Sequence, residues 1–198
     1  MVIHNRVIIL AAGKSSRMGK PKALIPFQNK TLLEFQIDSL YSMGIQPIII
    51  LGFHAEEIKR KIPNLNSKAT LVINPNPDRG QFSSLKLGLE LTQYRPAFIL
   101  PLDTPAPEPS VWKALEENLG IHQVVVPRYK DRGGHPVLLS ADFISQLCSD
   151  KIPTCEQRLD LQIRNLKKKQ YLSISVPQCS VIVDLDTPKD LKSYFKCL

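Results

Sequence analysis

The sequence predicts an α/β protein built on a single doubly wound, mostly parallel sheet. Short apolar, β-branched runs recur along the chain, and segments with helical spacing lie between them. The runs are continuous rather than alternating, as befits strands covered on both faces. Strands alternating with helices in this way are the pattern of a doubly wound sheet. With 198 residues, 43% of them hydrophobic and 22% charged, the chain is long enough to bury such a core as one domain over residues 1–198.

The first strand is expected at Val7 to Ala11, and its apolar run is too short for a secretory leader before the cationic loop begins. Further strands are expected at Pro47 to Leu51, Thr70 to Ile73, Phe98 to Leu100 and Val124 to Val126. Helical spacing joins Leu32, Leu33, Phe35, Ile37, Leu40 and Met43, then Ile58 and Ile62. It returns at Leu85, Leu87, Leu89 and Leu91, and at Val111, Trp112 and Leu115. Arg132 to Leu139 resembles a turn into another strand, and Asp184 to Asp190 a strand end entering a last helix. Sheets of this kind bind ligands beyond the carboxyl ends of their strands. Chemistry is therefore expected in the loops 11–26, 74–81 and 101–109 and in the segment after Val126.

No segment approaches the roughly 18 apolar residues of a membrane span, so no membrane partner is expected. Cys148, Cys155, Cys179 and Cys197 lack close-paired metal spacing and are too sparse for a disulfide framework, which implies reduced thiols and a cytoplasmic setting. The net charge of +8 admits nucleic acid or phosphate-rich small molecules as partners. The run Lys167-Lys168-Lys169 has no interleaved aromatics and reads as solvated, and no nucleic-acid recognition motif is present.

The charge concentrates instead in LAAGKSSRMGKPK, Leu10 to Lys22. A P-loop is rejected because Gly13 to Gly19 has one residue too many and Pro21 follows Lys20. A dinucleotide fingerprint fails at Ser15. The physical argument survives both failures. Glycine lets backbone N–H groups approach phosphate oxygens, serine adds hydroxyl donors, and Arg17, Lys20 and Lys22 supply charge.

These thirteen residues resemble closely the LAAGxSxRMGxxK signature of the MobA-like nucleotidyltransferases, and Ala12 is like the cytidylyltransferase branch, nearest to molybdenum cofactor cytidylyltransferases. The resemblance runs from Arg6 to Leu191 and implies the Rossmann-like nucleotidyltransferase type of sheet, the nucleotide-diphospho-sugar transferase fold. It implies a nucleotide held against Leu10, Ala11, Ala12, Gly13, Ser15, Arg17 and Lys22. Lys22 and Arg17 would stabilise charge on the phosphates, which is the use expected of fixed cations in phosphoryl-type transfer.

Gly80 to Leu89 is similar to the family's G-x-x-x-S-L-x-x-G-L, which implies that Gly80 and Ser84 border the nucleotide; on the residues alone an N-cap is the favoured use of Ser83 or Ser84. Asp103, in Leu100-Pro101-Leu102-Asp103-Thr104-Pro105, falls where the family places a Mg²⁺ ligand, with Pro101 and Thr104 departing from the commonest form. A helix cap is the alternative use of this carboxylate. Val183 to Leu191 is similar to the closing D-I-D-T-P-E-D-L. Asp184 is preferred there as second metal ligand, and Asp186 is either a ligand or a helix cap before Pro188. Gly134-His135-Pro136-Val137-Leu138 resembles the segment bordering the acceptor, with His135 facing the acceptor's phosphate or pterin or simply exposed. The family's G-D-x-G-A-R stretch is missing around Cys148 to Thr154, which bears on the acceptor more than on the nucleotide.

The resemblance implies a Mg²⁺-dependent transferase that takes a nucleoside monophosphate from an NTP, CTP by preference, to a molybdopterin-type acceptor and releases pyrophosphate. A molybdenum enzyme receiving the cofactor is the implied downstream partner. The rival readings are transfer to a phosphorylated sugar or alcohol, and a non-catalytic molybdenum cofactor chaperone.

Overall fold

The structure, a computed structural model, describes residues 5–196, with Arg17, Phe195 and Lys196 described at the backbone alone. Cys197 lies outside the described residues. The central sheet is assembled from β1 (Arg6–Ala11), β4 (Ile48–Leu51), β5 (Thr70–Ile73), β6 (Ala97–Pro101), β7 (Val124–Tyr129), β8 (Arg132–Gly133), β9 (Val137–Leu139) and β10 (Tyr171–Ser175). A two-residue hairpin, β2 (Pro26–Phe27) with β3 (Lys30–Thr31), stands apart from it. Across the sheet the order is β10, β7, β9, β6, β1, β4, β5, with β8 beside β7. β1 runs parallel to both β4 and β6, β4 parallel to β5, and β10 parallel to β7. β9 is inserted antiparallel between β6 and β7.

β1 explains why both faces must be covered. Val7, Ile9 and Ala11 pack on one face with Ile49, Leu51, Phe98 and Leu100, while Ile8 joins Ile48, Ile50 and Ile99 on the other. Alternation at period two therefore sends apolar side chains both ways, and neither face can be left to water. The first face is covered by α1 (Leu32–Tyr41), α2 (Ala55–Lys61), α3 (Leu65–Lys68), α5 (Pro109–Glu117) and α8 (Pro188–Lys196). The second is covered by α4 (Gln81–Glu90), α6 (Ala141–Cys148) and α7 (Leu159–Arg164). Trp112 of α5 is fully buried with its ring edge-on to Phe98 at 5.0 Å between centroids. Each such large side chain removed from water contributes about 1.5–3 kcal/mol.

Local signals account for the helix ends. Thr31 accepts the Glu34 N–H, and the Glu34 carboxylate accepts the Thr31 N–H at 2.9 Å, so a capping box starts α1. Thr187 and Asp190 form the same reciprocal pair at the start of α8, with Asp190 accepting the Thr187 N–H at 2.8 Å.

The five expected strands correspond to β1, β4, β5, β6 and β7, and the four helical segments to α1, α2, α4 and α5. The expected strand at Asp184 is absent. A 3₁₀ turn over Cys179–Ile182 gives way to an extended stretch with no ladder, tied to the sheet where the Leu185 N–H donates to the Asp103 carbonyl at 2.9 Å. Lys167, Lys168 and Lys169 are exposed at the turn into β10, as a solvated run should be. Cys148, Cys155 and Cys179 are free thiols. Among the described residues no helix is long and apolar enough to cross a membrane.

Candidate active site

A cavity of about 480 Å³ opens at the carboxyl ends of β1 and β6. The chain turns there, since β4 and β5 extend the sheet on one side of β1 and β6 extends it on the other. That reversal leaves a crevice beyond the strand ends. Residues 10–16 line it from β1, Lys22 from the same loop, Gly80 and Ser84 from α4, and Asp103 and Asp186 from the opposite wall.

The opening loop is stiffened by its own polar groups. Ser15 takes a left-handed backbone conformation (φ 53°, ψ 29°), and its Oγ accepts the Lys22 N–H at 2.9 Å. Met18 is buried and its N–H donates to the Ser15 carbonyl at 3.0 Å. Pro21 and Ala23, both buried, flank Lys22 and hold its backbone against the core.

Lys22 is thereby aimed at carboxylates. Its Nζ lies 2.6 Å from Asp103 Oδ2 and 2.5 Å from Asp186 Oδ1, and its side chain is only 14% exposed. Burial works against its charge, but the hydrogen bonds and charges of Asp103 and Asp186 outweigh it and raise its pKa above the ordinary lysine value. Asp103, Asp184 and Asp186 can each bring one oxygen within 4.8 Å of the others. Asp184 is exposed, whereas Asp186 lines the cavity.

The carboxylates are held from behind. Asp103 follows β6 in a turn where Leu102 donates to the Leu10 carbonyl at 3.3 Å and Thr104 to the Pro101 carbonyl at 3.3 Å. Gln36, fully buried on α1, donates through Nε2 to the carbonyls of Leu102 (3.2 Å) and Thr104 (2.6 Å). Its Oε1 accepts the Ala106 N–H at 2.7 Å. This side chain clamps the turn bearing Asp103, and its trace in the sequence is a polar residue within the apolar stripe of α1, four positions after Leu32. The alternative use of Asp103 as a helix cap does not hold, because the helix that follows begins at Pro109 with Glu108 at its cap.

Asp186 does not cap α8, since Thr187 does so with Asp190. Leu185 is fully buried between Asp184 and Asp186, so both acids project away from the core. The segment carrying them passes close to Gly134, where a Cβ would lie 2.1 Å from the Val181 carbonyl oxygen; only glycine permits that approach. The His135 N–H then donates to the same carbonyl at 2.7 Å.

Gly80 occupies the N-cap of α4 with φ 89° and ψ 175°, a conformation essentially reserved for glycine. Neither Ser83 nor Ser84 is the cap. Ser84 is buried at the cavity wall, and Ser83 donates back to the Gly80 carbonyl at 2.7 Å.

Of the other sequence expectations, Leu10, Ala11, Ala12, Gly13 and Ser15 all line the cavity. Arg17 sits in the turn Ser16–Met18, and its side chain lies outside the described residues. His135 is not among the residues that line the cavity, nor is it exposed: its Nδ1 is buried without a partner among the described residues. Burial lowers its pKa, while the Asp103 charge pulls the other way. Phe53, His54 and Asp78 also reach the cavity; Asp78 lies in the 74–81 loop where chemistry is expected, but none of the three is singled out by the sequence. Lys14 pairs with Asp78 at 2.8 Å and lies 4.6 Å from the Phe53 ring centre, and His54 Nε2 meets the Lys14 carbonyl at 2.9 Å. The rim is thus closed by contacts between loops that have no sequence signature.

A cationic, glycine-bearing loop after the first strand, facing clustered carboxylates across a crevice, defines a nucleotidyltransferase. The profile of the MobA-like NTP transferase domain matches residues 7–166, and the chain belongs to that family. It is 26% identical over 183 residues to the molybdenum cofactor cytidylyltransferase of Escherichia coli, covering 92% of this chain and 91% of that one. The fold is shared with a Mycobacterium tuberculosis protein solved in complex with manganese, at a TM-score of 0.76 and 23% identity over 98% of each chain. It is shared too with the CTP:phosphocholine cytidylyltransferase of Streptococcus pneumoniae, at a TM-score of 0.71 and 20% identity, covering 98% of this chain and 99% of that one.

Proposed function

We propose that this chain, acting as one unit over residues 1–198, transfers the cytidylyl group of CTP to the phosphate of a molybdopterin-type acceptor in a Mg²⁺-dependent reaction. The observation that carries the proposal is the meeting of Lys22 with Asp103 and Asp186 at the mouth of the opening loop. Preference for cytidine and for a molybdenum cofactor is supported by the E. coli relative and by Ala12. The cytoplasm, where such an acceptor would pass to a molybdenum enzyme, is the expected setting.

The carboxylates suit a hard divalent cation. Three acids that can bring oxygens within 4.8 Å of one another supply the ligand type Mg²⁺ prefers, and the ammonium of Lys22 already bridges two of them. The manganese complex of the M. tuberculosis relative supports the same reading. Asp103 and Asp186, with Asp184 at the outer side, would hold the ion, which when bound supplies Lewis-acid neutralisation of phosphate charge.

In the reaction an acceptor phosphate oxygen attacks the α-phosphorus. The new P–O bond forms as the bond to the β-phosphate oxygen breaks, and pyrophosphate leaves. No nucleophilic side chain is required, so the protein contributes positioning and charge. Backbone N–H groups and hydroxyls of the opening loop receive the triphosphate, and Lys22 provides a fixed positive charge where negative charge develops. The test is binding of CTP with Mg²⁺ and pyrophosphate release by wild type and Asp103→Asn; normal cation-dependent turnover in the variant would remove Asp103 from the mechanism.

A second reading, transfer to a phosphorylated alcohol or sugar, is favoured by the departure from the family pattern at Cys148 to Thr154. The fold shared with a phosphocholine cytidylyltransferase is consistent with it. Pyrophosphate release with such acceptors and none with molybdopterin would select it.

A further inference from the structure

The Lys22 ammonium stands at the point on which two carboxylates converge. Its Nζ lies 2.6 Å from Asp103 Oδ2 and 2.5 Å from Asp186 Oδ1, one oxygen from the turn after β6 and one from the segment before α8. A divalent ion shared by the same two oxygens has to lie between them too, about 2.0–2.1 Å from each in the case of Mg²⁺. The space between those oxygens admits one cation at a time. The contact is largely shielded from water, so two positive charges there would repel with little screening.

The surroundings of Lys22 set what it does on yielding that place. Ser15 Oγ accepts its backbone N–H at 2.9 Å, and Pro21 and Ala23 on either side are buried, so the backbone stays while the side chain rotates. That side chain lines the cavity and is 14% exposed, and rotation carries the ammonium along the cavity wall. The carboxylates lining the cavity among the described residues are those of Asp78, Asp103 and Asp186, and Asp78 is paired with Lys14 at 2.8 Å. With Asp103 and Asp186 given to an ion, no carboxylate of the lining is left for Lys22. A half-buried ammonium in that position is stabilised only by an anion from outside the protein.

We propose that Lys22 is an internal counter-ion of the cation site. It occupies the converging oxygens of Asp103 and Asp186 until a divalent ion displaces it, and displacement turns its ammonium toward the anionic group of the ligand. The inference rests on the divalent-cation reading of these acids and deepens it, because ion and anionic ligand then favour each other's binding through Lys22.

Two measurements test this, both without nucleotide or acceptor. In the first, Mn²⁺ binding is followed by the electron paramagnetic resonance of the free ion. Lys22→Met should bind Mn²⁺ roughly tenfold or more tightly than wild type, since the ion no longer has to break a charge-assisted hydrogen bond. Thermal unfolding confirms that the variant folds. Removing a nearby positive charge would tighten binding even if nothing were displaced, so the second measurement follows the lysine itself and needs no variant. Wild type is acetylated with acetic anhydride and its peptides are read by mass spectrometry. Lys22 should be modified several-fold faster at saturating Mg²⁺ than without it, with the exposed Lys20 of the same loop as internal reference. Lys22 acetylation that Mg²⁺ leaves unchanged overturns displacement, whatever the affinity of the variant, and so does equal Mn²⁺ affinity of the two proteins. Either result leaves the cation reading intact. Failure of both proteins to bind Mn²⁺ overturns that reading itself.

Discussion

Lys22 sits between Asp103 and Asp186 because Ser15 accepts its backbone N–H and buried neighbours flank it, and its charge is secured by the two carboxylates. Lys22→Met should keep the fold and lower kcat by about 10²- to 10³-fold, the usual scale for losing one preorganised charge-stabilising group; steady-state kinetics with CTP reads it. His135 gives a pH dependence of stability. Burial depresses its pKa, so the native state binds the proton less readily than the unfolded chain. Its contribution is present above the ordinary histidine range and is lost as pH falls below about 6.5, at no more than about 1.4 kcal/mol per pH unit. Unfolding midpoints of wild type should decline from pH 7.5 to 5.5, and those of His135→Gln should decline less; parallel curves would remove His135 as the source.

At the scale of elements, the clamp on the turn after β6 belongs to α1. Gln36→Leu strands the carbonyls of Leu102 and Thr104 and the Ala106 N–H, and each buried group left unsatisfied costs about 1–3 kcal/mol. Denaturant unfolding should show a loss of that order, with cation binding weakened because Asp103 loses its support. Gly134→Ala acts from the other wall: its Cβ would meet the Val181 carbonyl and push the Cys179 to Asp186 segment away from position 134, separating Asp186 from Lys22. Its signature is weaker Mn²⁺ binding, and unaltered affinity would show that the segment yields without moving its acids. The central strands were legible because their apolar runs are unbroken, and the strand–loop–helix succession located Asp103 and the opening loop. β10 was not, since at the sheet edge it is only half-buried and alternates apolar with serine. α7 is only six residues long, and the antiparallel insertion of β9 is a matter of tertiary pairing. Gln36 escaped notice because a buried amide has no pattern of its own; its meaning lies in partners far along the chain.

On the scale of the whole molecule, the sheet reversal at β1 and β6 sets cationic and acidic loops face to face across one cavity, and the positive charge that mattered proved local rather than global. Ligands that bind this native arrangement must stabilise it by mass action. CTP with Mg²⁺ at about 100 times Kd should add about 2.7 kcal/mol, seen as a rise in Tm, and Asp103→Asn should lose most of that rise. The most direct measurement is product analysis after incubating the protein with Mg²⁺, molybdopterin cofactor and each of the four NTPs in turn. The account predicts a cytosine dinucleotide cofactor and matching pyrophosphate with CTP, far above the other three. Pyrophosphate release from GTP or ATP instead, or none from CTP in the presence of the cofactor, would contradict it.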